Sequence, residues 1–377
     1  MRIAPVTIVA RATLLALLTL VLAGAAGCSA PLPTTQLPPT RLVAPALEFP
    51  ELRDYRGIVN CRFRAAGMDE SQVADLARTA QIDFVTVGDI ARPGETDYGI
   101  GGFTSDILFI PGATFKLGGG EIVGVNLRQP IDPLRPASEL IGAIHDQGAL
   151  AIAANPASFK SPGDYALADA MEVYNQNSAF VATSPTALFW RAMFFQTDHF
   201  LLDLAPRPDA NLALYDTMTA GARVTLVAGM GGPDNMAVMG SKVGTFEQLF
   251  LFYTTHLLAR ERGVDALMDA MHRGHAYVSF DILGYVGQFV FYAQSGAAKT
   301  GAKTMMGEEV RLADGLALKT ELPDKADRIV VLKDGAEIAS ADDAEDFEFA
   351  PQSAGAYRVE AWRRGHLWIV SNPVYVR

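Results

Sequence analysis

The stretch Tyr55-Arg56-Gly57-Ile58-Val59-Asn60-Cys61-Arg62 opens the folded part of the chain and decides its fold. A helix is predicted over residues 71–80 and a strand over residues 82–87, so the order is strand, helix, strand. Short apolar runs go on alternating with helical patterns from residue 54 to about residue 279. This alternation predicts parallel β/α units rather than a β-sandwich.

The remaining elements of this first part follow the same pattern. Further strands are predicted over residues 107–111, 150–154, 171–174 and 223–228. Further helices are predicted over residues 138–147, 185–195 and 264–272. In βα barrels the chemistry lies at the carboxyl ends of the strands, so a site is expected at these ends.

The sequence pattern changes after residue 284. Short apolar runs now alternate with turns, and Asp334-Gly335 is a strong signal for a tight turn between two strands. Residues 284–377 are therefore predicted to form a small all-β sandwich domain. In the first part, Gly118-Gly119-Gly120 is followed by strand-like residues and predicts a hairpin turn rather than a phosphate-binding loop.

Five short segments carry a resemblance to a known family. They are Gly88-Asp89-Ile90, Pro111-Gly112-Ala113-Thr114, Ala154-Asn155-Pro156, Glu172-Val173-Tyr174-Asn175 and Asp234-Asn235-Met236. In this order they resemble the landmarks of the PHP (polymerase and histidinol phosphatase) family of metal-dependent phosphoesterases. The resemblance implies an α/β fold, with a PHP-like distorted (β/α)7 barrel over residues 54–283 and the small all-β sandwich after it.

The resemblance also implies where metal ligands would stand, and most of these positions hold other residues. The residues that replace histidine or glutamate ligands are Asn60, Arg62, Ile90, Thr114, Asn155 and Met236. Asp234 keeps a carboxylate at a ligand position, and Asp89 is implied to support the site rather than to bind metal. One carboxylate cannot assemble a metal cluster, and an inward Arg62 would bring a fixed positive charge. No cofactor is expected, although a residual divalent ion (Zn, Mn or Fe) at Asp234 stays open.

Two hypotheses about function follow from these replacements. The first is a degenerate PHP-like domain that serves as a non-catalytic binding or interaction module, with Arg62, Asn155 and Asn175 binding a small anion. The same residues are also consistent with a collapsed mouth whose former ligands hydrogen-bond one another. The alternative is a phosphoesterase for small phosphate esters, metal-dependent or atypically metal-free. An inward Arg62 that pairs with Asp234 would favour the first hypothesis.

The N-terminus predicts export and lipid anchoring. Arg2 and Arg11 form a basic segment that precedes an apolar run over residues 13–22, which is short for a membrane span. Ala25-Ala26-Gly27-Cys28 resembles a bacterial lipobox, which implies that residues 1–27 are a lipoprotein signal peptide and that Cys28 is lipidated. Plain secretory cleavage is the alternative. Residues 28–53 contain six prolines and are predicted to form a Pro-rich, semi-rigid linker.

Composition and the N-terminus together limit the partners. A net charge of −11 argues against binding to the phosphate backbone of nucleic acid. The expected partners are the membrane, through lipidated Cys28, and either a small anionic ligand or an envelope protein. Ser29 follows the cysteine and implies transfer to the outer membrane, so the expected location is the periplasmic face of the cell envelope. Lipidation of Cys28 would leave Cys61 without a disulfide partner.

Overall fold

The computed structural model describes residues 45–95, 97–99, 101–175, 206–232, 236–238, 241–243, 245–296 and 301–377. The predicted signal peptide, Cys28, most of the predicted linker, the helix predicted over residues 185–195 and Asp234 lie outside these ranges. Within them, no helix is long and apolar enough to cross a membrane.

The helices of the described part are short. They are α1 (Glu70–Thr79), α2 (Ala137–His145), α3 (Asp209–Thr219), α4 (Phe246–Phe250) and α5 (Val264–Arg273). A capping box starts α1, because the Asp69 carboxylate accepts from the Gln72 backbone N–H while the Gln72 side chain accepts from the Asp69 N–H. The predicted helices at 71–80, 138–147 and 264–272 are confirmed as α1, α2 and α5, with small shifts at their ends.

The first part of the chain forms a mixed sheet and one separate two-stranded hairpin. Its strands are β1 (Pro45–Ala46), β2 (Phe49–Cys61), β3 (Phe84–Val87), β4 (Gly102–Thr104), β5 (Ile107–Ile110), β6 (Gly112–Lys116), β7 (Glu121–Val125), β8 (Leu150–Ala154), β9 (Ala170–Asn175), β10 (Thr225–Gly231), β11 (Met236–Val238), β12 (Ser241–Val243), β13 (Thr254–Ala259) and β14 (Ala276–Ser279). Parallel neighbours follow the order β8, β9, β10, β2, β3, β5. The β6–β7 hairpin is antiparallel and continues onto β8, which confirms the turn predicted at Gly118–Gly120.

The long strand β2 is shared between two kinds of pairing. Its first half pairs antiparallel with β13, from Arg53 opposite Ala259 to Gly57 opposite Thr255. Its second half pairs parallel with β10, where Gly229 lies opposite both Val59 of β2 and Asn175 of β9. Because β2, β9 and β10 run in the same direction, their carboxyl ends meet at one edge of the sheet. Asn60 and Asn175 are therefore brought to the same place.

The second part of the chain is rich in strands, which pair antiparallel except for the parallel contact of its third strand with its last. It contains β15 (Val290–Gln294), β16 (Lys303–Met305), β17 (Glu309–Val310), β18 (Ala317–Lys333), β19 (Ala336–Phe349), β20 (Gly355–Arg363), β21 (His366–Ser371) and β22 (Val374–Val376). Asp334 and Gly335 both have positive φ, 49° and 83°, and join β18 to β19 as a two-residue turn. The turn predicted at Asp334-Gly335 is thus confirmed.

The two parts share one interior. β14 of the first part pairs antiparallel with β21 of the second, and one hydrophobic core contains buried residues from both. Arg358 of β20 is buried and binds Asp216 of α3 through two contacts, Nε to Oδ1 at 2.7 Å and Nη2 to Oδ2 at 2.8 Å. The core and this ion pair hold the second part against the first.

The structure confirms a mixed α/β fold with a large sheet and few helices. Closure into a (β/α)7 barrel and the layered sandwich of the second part stay predictions. Antiparallel pairing of β13 with β2 departs from simple β/α alternation. Strand structure also begins at Pro45, inside the range predicted as linker, because Pro45 pairs with Arg53 at an edge where a proline is tolerated.

Candidate functional site

A buried carboxylate lies at the carboxyl ends of β2 and β9. Both oxygens of Glu172 accept hydrogen bonds from amides, Oε1 from Asn60 Nδ2 at 3.0 Å and Oε2 from Asn175 Nδ2 at 2.6 Å. Glu172 and Asn60 are fully buried. Asn60 has a φ of +57°, a left-handed conformation that asparagine tolerates better than most residues. This conformation ends the regular extension of β2 just before Cys61.

Two glycines make room for this pair. A Cβ at Gly229 would lie 1.2 Å from Glu172 Oε1, and a Cβ at Gly88 would lie 2.1 Å from Asn60 Oδ1. Neither space would hold a larger residue without movement of the buried amide or carboxylate. The packing of β10 against β9 therefore depends on glycine at position 229.

Burial governs the protonation of Glu172. Removal from water raises its pKa from the ordinary value of 4.5 to about 7, against the lowering effect of the Asn175 and Asn60 hydrogen bonds and of the nearby Arg62 charge. The desolvation of the carboxylate exceeds the stabilisation that its partners give. Glu172 therefore titrates near neutral pH.

The carbonyl side of Asn60 faces other polar groups. Thr114 Oγ1 lies 3.0 Å from Asn60 Oδ1 and 2.6 Å from the carbonyl oxygen of Gly88, so its single hydrogen serves one of them at a time. Arg62 Nε lies 3.4 Å from the same Asn60 oxygen. Ile90, another position that the resemblance singled out, forms an isolated parallel bridge with Thr114. The predicted cluster of Asn60, Arg62 and Thr114 is therefore brought together.

Arg62 points inward and pairs with Glu121. Its Nη1 lies 3.5 Å from Glu121 Oε1, and its Nη2 contacts Glu121 Oε2. The Arg62 side chain is 8% exposed and that of Glu121 is 27% exposed. The sequence suggested Asp234 as the partner of an inward Arg62. Among the described residues the partner of Arg62 is Glu121, because β7 carries its first residue to the end of β2. Asp234 lies outside the described residues, so its pairing with Arg62 stays a prediction.

A cavity of about 310 Å³ opens beside this ion pair. The described residues that line it are Arg62, Lys116, Leu117, Gly119, Gly120, Glu121, Ala154, Asn155, Ser158 and Asn175. Asn155 is fixed by α3, since its Oδ1 accepts from Asn211 Nδ2 at 3.0 Å. All three residues predicted to bind an anion, Arg62, Asn155 and Asn175, line the same cavity.

Asn60, Asp89, Ile90 and Thr114 are not among the described residues that line this cavity. The carboxylate of Asp89 accepts from the backbone N–H groups of Arg64 and Ala65, and burial raises the pKa of Asp89. Asp89 therefore holds the loop after β2, in agreement with a supporting role. Met236 begins the small β11–β12 hairpin, and the structure does not describe its side chain.

Comparison with known proteins gives distant structural similarity and no sequence match. No family model and no curated protein matches the chain. Among solved structures it is similar to a two-domain protein from Bacteroides vulgatus that contains a predicted PHP-like metal-dependent phosphoesterase. The match covers 90% of this chain and 99% of that one, with 12% sequence identity and a TM-score of 0.39.

The residues at the site do not fit a cluster of metal ions. A guanidinium cannot bind a cation, and Arg62 stands at one of the implied ligand positions. The Asn60 amide already donates to Glu172, and Thr114 offers only a hydroxyl. Among the residues that the structure describes, no three side chains of His, Cys, Asp or Glu are grouped as a metal site requires. The residual ion predicted at Asp234 falls outside those residues.

Sequence reasoning missed three charged residues of the site: Glu172, Glu121 and Lys116. Glu172 carried a usable signal, because it is a lone acid within the apolar run Ala170-Met171-Glu172-Val173-Tyr174. Glu121 and Lys116 lie opposite each other in the β6–β7 hairpin, and their closeness follows once the Gly118–Gly120 turn is accepted. The contacts of Glu172 with Asn60 and of Glu121 with Arg62 join residues far apart in the sequence, so they could not be inferred from spacing.

Proposed function

We propose that this chain is a non-catalytic binding module whose strand-end cavity takes a small anion. The observation that carries the proposal is the buried guanidinium of Arg62 at the cavity wall. Of the described lining residues, Arg62 and Lys116 are cationic and Glu121 is anionic, so their sum is +1 in a chain of net charge −11. A weakly hydrated planar cation with amides beside it suits an anion.

The placement of Glu172 supports binding rather than turnover. A general acid or base must reach the reacting group by a hydrogen bond. Glu172 has a pKa suited to that role, but it is fully buried and both its oxygens are taken up by the Asn60 and Asn175 amides. We assign it to the support of the two amides that shape the site.

The binding proposal is tested by calorimetric titration. The sample is the chain without residues 1–27, with Cys28→Ser so that it stays soluble, and the probes are acetate, sulfate and inorganic phosphate at pH 7. We expect one site per chain for at least one probe, weakened about tenfold or more by Arg62→Gln because a charge-assisted bond is lost. Arg64→Gln is the matched control, since Arg64 pairs with Glu70 and does not line the cavity. An anion affinity that Arg62→Gln leaves unchanged would refute the proposal, and so would a failure of all three anions to bind.

We further propose that the module is held in the cell envelope through a lipid on Cys28. The lipobox-like segment before Cys28 supports this, and the prolines of residues 28–53 would hold the folded part away from the bilayer. Ser29, directly after Cys28, supports a location at the periplasmic face of the outer membrane. Expression in a bacterium fed with labelled palmitate should give a labelled membrane protein, and Cys28→Ser should give an unlabelled one. Labelling that survives Cys28→Ser would contradict the anchor.

A further inference from the structure

Glu121 occupies the place of a bound carboxylate on Arg62. Its two oxygens face the two terminal nitrogens of the guanidinium, Oε1 towards Nη1 at 3.5 Å and Oε2 in contact with Nη2. This side-by-side arrangement is the usual one for arginine with a carboxylate. The position of Glu121 thus shows that a carboxylate fits against Arg62 at the cavity wall.

Arg62 is more deeply buried than Glu121 and makes more hydrogen bonds with its surroundings. Arg62 is 8% exposed, its Nε lies near Asn60 Oδ1, and its backbone N–H donates to the Gly231 carbonyl at 3.2 Å. Glu121 is 27% exposed, and its carboxylate contacts only Arg62 among the described residues. It stands at the start of β7, next to the glycine turn. Glu121 is the member that can turn towards solvent while Arg62 stays in place.

The net charge of the residues that line the cavity determines which anion would replace Glu121 on Arg62 most favourably. We propose that the ligand is a small monocarboxylate, which displaces Glu121 from Arg62 and takes its position; this rests on the proposed anion-binding function. The described lining has a net charge of +1, which a single negative charge neutralises. A phosphate dianion would leave excess negative charge close to the displaced Glu121 and near Glu172, which is linked to Arg62 through Asn60.

The surrounding residues favour a short ligand with one charged end. The cavity of about 310 Å³ is at the small end of the range for small-molecule sites. Lys116 lies directly opposite Glu121 in the hairpin, so a displaced Glu121 and the incoming carboxylate both stay near this second cation. The amides of Asn155 and Asn175 line the same cavity and would contact the rest of the ligand.

The test weakens the contact of Glu121 with Arg62 and measures whether acetate then binds more tightly. Glu121→Gln keeps the size of the side chain but removes its charge, so it should bind Arg62 less tightly. We expect acetate to bind this variant at least about tenfold more tightly than the parent chain at pH 7, and we expect the parent chain, whose lining keeps its net charge of +1, to prefer acetate over inorganic phosphate. Glu70→Gln is the matched control, because Glu70 forms the neighbouring ion pair with Arg64 at 2.9 Å and should leave acetate affinity unchanged.

A second variant separates binding from folding. Lys116→Gln changes an exposed lining residue and should weaken acetate binding in the Glu121→Gln background without loss of fold. Unchanged acetate affinity on Glu121→Gln, or a preference of the parent chain for phosphate, overturns the monocarboxylate assignment, while Arg62-dependent binding of another anion leaves the proposed function standing. A failure of acetate, sulfate and phosphate to bind either chain overturns both.

Discussion

At the scale of single residues, Glu172 makes the stability of the fold depend on pH. Its folded-state pKa of about 7 exceeds the ordinary value of 4.5, so the folded chain holds a proton that the unfolded chain releases between these two values. The free energy of unfolding therefore falls as pH rises from about 4.5 to about 7 and stays reduced above that range. The shift corresponds to a loss on the order of 3 kcal/mol.

We expect Glu172→Gln to remove this dependence, because glutamine stays neutral at every pH, and its single carbonyl oxygen can still accept from one of the two amides. Urea unfolding between pH 5 and pH 8 should show the parent chain losing stability relative to the variant as pH rises, by up to about 3 kcal/mol. The difference between the two chains isolates Glu172 from other titrating groups. Parallel pH profiles would mean that Glu172 is ionised in the folded state throughout.

The residues of the site were only partly predictable from the sequence. The resemblance to the PHP landmarks placed Asn60, Arg62, Thr114, Asn155 and Asn175 at strand ends, and the structure brings them to one edge. The pairing of Asn60 with Glu172 spans 112 positions in the chain. Such a contact depends on which strands become neighbours, and hydrophobic periodicity carries no information about that.

At the scale of elements, the close approach of β10 to β9 rests on Gly229. We expect Gly229→Ala to cost about 3 kcal/mol or more of unfolding free energy, because its Cβ would lie 1.2 Å from Glu172 Oε1. Gly118→Ala is the matched control, since a Cβ at Gly118 meets nothing within 4 Å. Thermal and urea unfolding of the two variants checks this. Equal stability would show that Glu172 can move aside.

The turn between β18 and β19 offers a second test at this scale. Gly335 has a φ of +83°, and its Cβ would lie 2.9 Å from Asp216 Oδ2, the acceptor of Arg358. Gly335→Ala should therefore cost both backbone strain, about 1–2 kcal/mol, and a further loss from the disturbed ion pair. Gly365 has a φ of +74° and open space around it, so Gly365→Ala should show the strain alone. A matching loss in both variants would mean that the contact with Asp216 contributes nothing.

Elements were predicted well where local chemistry fixes them. The capping box at Asp69 and the left-handed turn at Asp334-Gly335 are determined by neighbouring residues. The helix that begins at the first and the hairpin that contains the second are both present. Pairing directions were harder to predict. The antiparallel contact of β13 with β2 joins residues about 200 positions apart and arises from packing of the whole sheet, so the sequence pattern suggested only parallel units there.

At the scale of the whole molecule, Arg358 ties the second part of the chain to α3 of the first. We expect Arg358→Met to lower the free energy of unfolding by about 3–5 kcal/mol, because Asp216 would lose a buried charge partner. Arg328→Met should cost about 1 kcal/mol or less, since the Arg328–Glu337 pair is exposed. Urea unfolding followed by circular dichroism compares the two. Similar losses would mean that the buried pair adds little to the union of the two parts.

We propose that the strand ends hold an arginine-centred anion site in place of a metal cluster. The most direct test is the metal content of the Cys28→Ser chain without residues 1–27, measured by mass spectrometry after supplementation with zinc, manganese or iron. We predict far less than one metal ion per chain, because Arg62 and the amide-bound Glu172 do not form a ligand set. A full equivalent of metal that disappears on Asp234→Ala would contradict the claim.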